Sequence, residues 1–112
     1  VSDPEIKIFA ALDYIRDQAP AYAKAKAERV YIEGFLKSKK ALLMKVAEKS
    51  YPSAAAQERE ALADDEYLEL LEGLRAAVEE EETLRWRLTA AQARIEVWRS
   101  LSANQRAEAK NL

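Results

Sequence analysis

Carboxylates crowd the centre of this 112-residue chain: Glu79, Glu80, Glu81 and Glu82 form one run, inside a stretch (58–82) whose net charge is -9. Paired carboxylates can do general acid–base work or hold a divalent cation, but only when they converge on one pocket. Four successive helical residues point to different faces, so the run reads as a solvated surface. His and Cys are absent, which removes imidazole bases, thiol nucleophiles, disulfides and zinc sites. A carboxylate-bridged metal centre in a helical bundle normally adds Glu-x-x-His pairs, and these are missing too. Gly occurs only at Gly34 and Gly73, too few for a phosphate-cradling loop. No catalytic residue, metal ligand or cofactor is expected, and the chain reads as a non-enzyme.

Binding chemistry lies in the flanking basic blocks, of +5 over residues 21–49 and +4 over 83–112. The candidate contacts are Lys37, Lys39 and Lys40 in the first block and Arg85, Trp86, Arg87, Arg94 and Arg99 in the second, with Arg106 beyond. An aromatic ring between two guanidiniums can stack on an unpaired base or anchor a protein interface. The opposing reading of Trp86 is packing against the first helix or a second subunit. The charge blocks themselves can pair within the chain, with Glu79–Glu82 brought beside Lys37, Lys39 and Lys40. Arginines left over would then meet phosphate or an acidic protein surface.

The elements that must position these residues are helices. With 34% charged residues, 22 Ala and two Gly, the composition matches long helices or coiled coils. No apolar run approaches the ~20 residues of a membrane span, and the start VSDPEIKIF lacks the pattern of a signal peptide. A cytoplasmic chain is expected. Ser2 or Asp3 can cap a first helix that opens with Pro4, and Ile8, Phe9, Leu12 and Ile15 share one face. Pro20 should end or kink it. The expected fold is all-α: an elongated antiparallel helical hairpin or coiled coil with a very long C-terminal helix and short accessory helices. As one helical domain, 1–112, it divides into an accessory helix (1–19), a second helix (20–49), a short helix (53–63) after Pro52, and a long helix (65–108).

Alternate steps of four and three from Leu70 give Leu70, Leu74, Ala77, Glu81, Leu84, Leu88, Ala91, Ile95, Trp98 and Ser102. This 3.5-residue period is what knobs-into-holes packing requires. In the second helix the same stepping gives Ala23, Ala27, Val30, Gly34, Lys37, Ala41 and Met44, a seam of small residues flanked by Tyr31, Phe35 and Leu42. A hairpin of these two helices leaves the stretch from Ile95 to Leu101 only the first helix or another subunit to pack on, so a homo-oligomer is expected. Glu81, the polar residue on the long seam, is expected to pair with Lys37, near the space left by Gly34, and to set the register. Its rival is a surface pair with Arg85.

At YIEGFLKSKKALLMKVAEK (Tyr31 to Lys49), SAAAQEREALADDEYLELLEGL (Ser53 to Leu74) and AVEEEETLRWRLTAAQARIEVWRS (Ala77 to Ser100), the chain resembles small helical proteins of tailed bacteriophages and prophages. That family is encoded in early regions among recombination and replication genes. The resemblance spans roughly residues 20–106, leaving the N-terminal helix outside, and implies phage DNA metabolism in the cytoplasm of a bacterial host rather than a mechanism. The function expected is a non-enzymatic accessory protein of phage recombination or replication. Its partners would be DNA, single-stranded for a stacking Trp86, or a recombination or replication protein. Two rivals stand beside it: a coiled-coil scaffold or assembly protein, and an acidic inhibitor of a host DNA-processing enzyme.

Overall fold

Outside the segment KSYPS and the step at Ala63–Asp64, almost every residue is a good helix former. The computed structural model describes residues 3–111, and all regular structure among them is α-helical. Three helices follow one another: α1 (Asp3–Ala47), α2 (Ala54–Leu62) and α3 (Asp65–Asn111). The all-α class and the very long C-terminal helix are as the composition implied. Ser2, one of the two expected caps of α1, lies outside the described residues.

Local chemistry accounts for the breaks. Pro52 lacks an N–H and pushes its predecessor from helical angles, and α1 closes in a turn in which Ser50 and Tyr51 donate to the Ala47 carbonyl at 3.0 and 2.9 Å. Ser53 caps α2, its Oγ accepting from the Ala56 N–H at 3.2 Å. Asp64 caps α3, its Oδ1 accepting from the N–H groups of Glu66 and Tyr67 at 2.9 and 3.2 Å. Asp65 and Glu66 in the first turn complement the positive helix end.

Pro20 breaks nothing. The expected boundary between residues 19 and 20 is absent, and α1 runs through it as one helix of 45 residues. Pro20 and Arg16, whose carbonyl loses its amide partner, are both exposed, so water can solvate that carbonyl. On the opposite side the packed positions continue unbroken from Ile15 and Gln18 to Tyr22 and Ala25. Burial on both sides of the proline offsets a penalty of about 3 kcal/mol.

Packing between the helices falls into two units. The connection unit comprises Lys24–Glu81; the terminal unit joins the residues up to Ala23 with those from Glu82 onward. In the connection unit α1 turns Ala25, Arg29, Ile32, Leu36 and Leu43 inward, and α3 answers with Tyr67, Leu70, Leu74, Ala77 and Glu81, all buried or half-buried. Ala61 of α2 is 1% exposed. In the terminal unit Ile8, Ala11, Ile15, Gln18 and Tyr22 of α1 lie inward, as do Leu84, Leu88, Ala91, Ile95, Trp98 and Ser102 of α3. The α3 seam is therefore the one read by stepping from Leu70.

The α1 seam differs from the expected one. Ala23, Ala27, Val30, Gly34, Lys37 and Ala41 are exposed, and Met44 alone of that set is half-buried. The observed seam passes through Arg29 and beside Lys39 and Lys40, cations that only become compatible with an interior once α2 and α3 supply carboxylates. The expected gap beside the far end of α3 closes as well. Because α1 continues through Pro20, its first turns supply the cover for Ile95 and Trp98 that a shorter hairpin would have lacked.

Candidate association surfaces

Buried charge comes first. Arg29 holds Glu81 with a two-pronged contact, Nε to Oε2 at 2.5 Å and Nη2 to Oε1 at 3.0 Å, and Nη1 also reaches Glu33 at 3.0 Å. The Glu81 side chain is 8% exposed and that of Arg29 23%. A planar guanidinium matches both carboxylate oxygens at once, which a lysine ammonium cannot do. The hydrogen bond to Glu81 raises the Arg29 pKa further above its ordinary value. The expected Glu81–Lys37 pair is thus replaced by Glu81–Arg29, and Lys37 is exposed. The physical reason is register. Lys39 pairs with Glu66, in the first turn of α3, and Lys40 reaches Glu58 of α2 at 2.8 Å. The last two turns of α1 therefore extend past the start of α3, which displaces every facing position by more than one turn.

Of the residues chosen from sequence for binding, several are already engaged. Lys39 and Lys40 face carboxylates, which hold both ammoniums charged above their ordinary range through hydrogen bonds to Glu66 and Glu58. Arg85 donates to Glu82 at 2.6 and 3.0 Å, and its guanidinium carbon lies 4.5 Å from the centre of the Trp86 ring. Arg99 donates to Glu96 at 2.9 Å. Trp86 is 60% exposed, so it is not packed against α1. Arg87 and Arg94 are exposed and meet no carboxylate among the described residues. They sit seven residues apart on one face of α3, beside Tyr14 and Ala91.

The feature least visible in the sequence is the amount of large apolar surface left outside the seams. In the connection unit α1 exposes Tyr31, Phe35, Leu42 and Val46, and α3 exposes Leu68, Leu71 and Val78. Steps of three, four and seven place each set in a stripe along its helix. The rings of Tyr31 and Phe35 stack at 6.2 Å between centres, 11° from parallel. In the terminal unit an open groove of about 510 Å³ runs between α1 and α3, walled by Ile8, Val97, Trp98 and Leu101, with Lys7 and Arg94 at its rim. Val97 and Leu101 are 59% and 54% exposed. Among the described residues no cluster of acidic side chains is arranged to hold a metal ion, and no helix is long and apolar enough to cross a membrane.

No protein family, curated protein or solved structure matches this chain. Its surfaces must be read from their own chemistry. Stripes of exposed aliphatic and aromatic side chains at helical spacing fit further helices. The pair Arg87 and Arg94 with the open face of Trp86 fits phosphate and a flat π-surface. Arg29, Ile32, Leu36 and Leu43 escaped the sequence reading, although stepping by three and four from Ile8 through Ala11, Ile15 and Gln18 leads straight to them. Arg29 interrupts that stripe with a charge, and Pro20 lies within it.

Proposed function

We propose that this chain is an assembly module, a set of paired helices that works by docking its exposed apolar stripes onto further helices, those of other copies first. The supporting observation is the row Tyr31, Phe35, Leu42 and Val46 on α1 together with Leu68, Leu71 and Val78 on α3, all outside the intramolecular seam. Scattered apolar residues on a surface mean little, but repeating stripes of this size mark interaction sites. Sedimentation velocity across a hundredfold range of concentration tests the reading. Mass-action growth in particle mass is expected, and a monomer at every concentration removes self-assembly from the function.

A second reading, nucleic-acid contact in phage recombination or replication, is favoured by Arg87 and Arg94 alone. Both residues are exposed, Arg87 follows Trp86 in the chain, and the Trp86 ring carries Arg85 on one face. Binding to a labelled single-stranded oligonucleotide should then weaken with salt, with a log–log slope of about -0.7 per phosphate contact. Arg87→Glu with Arg94→Glu should flatten the slope. Affinity unchanged by that pair of substitutions dismisses the basic face.

A further inference from the structure

Resting on the self-assembly reading, we infer that copies associate head to tail, the groove of the terminal unit receiving the α3 ridge of Leu68, Leu71 and Val78 from a second copy. The groove is a helix-sized depression: its α3 wall runs from Ala93 to Leu101, about 12 Å at 1.5 Å per residue. The ridge from Leu68 to Val78 is about 15 Å long by the same rise, and its three side chains stand 48%, 42% and 37% exposed. The two lengths lie within one helical turn of each other.

Charge selects this occupant over the others the chain offers. Arg94 at the groove rim meets no carboxylate among the described residues, and Lys7 stands at the same rim. The ridge is flanked by Asp65, Glu69, Glu72 and Glu79, all exposed, inside the block of net charge -9. Glu72 and Glu79 share one guanidinium, that of Arg75, so the ridge keeps an excess of negative charge. A second exposed stripe, Tyr31 to Val46, is accompanied by more exposed lysines (Lys37, Lys45 and Lys49) than exposed carboxylates (Glu33 and Glu48) and would bring net like charge to the rim. Groove against groove would oppose Lys7 and Arg94 with their own copies. Like-charge contacts of that kind exclude wrong partners. A groove-to-ridge contact is heterologous, so each copy carries both halves and the contact repeats into a ring or an open chain.

Complementation tests this on the full-length chain. Val97→Asp with Leu101→Asp spoils the groove and leaves the ridge; Leu68→Asp with Leu71→Asp does the reverse. All four positions are exposed, so helicity by circular dichroism should match the parent. The parent should assemble, each variant alone should sediment as a monomer, and the two mixed in equal amounts should form a particle of twice the monomer mass. Assembly by either variant alone at the parent's concentration overturns head-to-tail docking and moves the contact to the α1 stripe, with self-assembly itself intact. A mixture that stays monomeric also overturns it. A monomeric parent removes the self-assembly reading as well, so the two failures are told apart.

Discussion

Arg29 and Glu81 show how a charged pair is accommodated on an otherwise apolar seam. A carboxylate on an apolar seam is unfavourable unless a partner satisfies both oxygens, and the guanidinium does so with two parallel hydrogen bonds. Arg29→Met removes both guanidinium hydrogen bonds from a Glu81 side chain that is 8% exposed, whereas Arg29→Met combined with Glu81→Leu leaves an apolar seam. The expected order of urea midpoints is therefore double variant at or above the parent, and the single variant clearly lowest. A single variant as stable as the parent would show that the pair does not organise the seam. Lys39 and Lys40 act at the surface, and their signature is alkaline. Their pKa values are raised above 10.5 by hydrogen bonds to Glu66 and Glu58. A raised folded value means that the contribution is complete below the unfolded pKa and disappears as pH rises through the folded one. Attachment of α2 should thus be insensitive to pH near neutrality and loosen only above about pH 10.5. Amide exchange of α2 in the parent and in Lys40→Met, which should lack this dependence, checks the sign.

At the scale of elements, α1 is governed by its packed face rather than by its proline. Relieving Pro20 should reveal the stored penalty: Pro20→Ala is expected to stabilise by up to about 3 kcal/mol in urea unfolding. The two glycines behave similarly. A Cβ added at Gly34 or at Gly73 meets nothing within 4 Å, and both lie inside helices, so Gly34→Ala and Gly73→Ala should each stabilise by about 0.5 to 1 kcal/mol. The position of the α1 seam has its own test in two alanines one step apart. Ala25 is 7% exposed, and Ala25→Leu should destabilise by about 1 to 3 kcal/mol through overpacking. Ala27 is exposed, and Ala27→Leu should stay within about 0.5 kcal/mol of the parent. Reversal of that order would restore the small-residue seam through Ala23, Ala27 and Val30.

For the molecule as a whole, the interior is thin. The buried apolar residues among those described are Ile8, Leu36 and five alanines, and no large side chain is fully enclosed. Burial of that kind leaves stability marginal, while much larger side chains wait outside the seams. Association that covers them should stabilise the folded chain by mass action, so the melting temperature is expected to climb with protein concentration. Leu68→Asp with Leu71→Asp should abolish the climb. A melting temperature independent of concentration in the parent would mean that the exposed stripes take no second copy.

Helix class, the stop at Pro52, the cap at Ser53 and the seam of α3 from Leu70 to Trp98 were determined by the sequence alone. Each depends on residues within a few turns of one another: a missing N–H, an acceptor at the right offset, an apolar period uninterrupted except at Glu81. The continuity of α1 through Pro20, the face it buries and the choice of Arg29 over Lys37 were decided by the tertiary structure. Those depend on what stands across the interface. Arg29 is a defect in an apolar stripe until Glu81 faces it, and Pro20 is a helix breaker until packed positions on both sides keep the helix continuous.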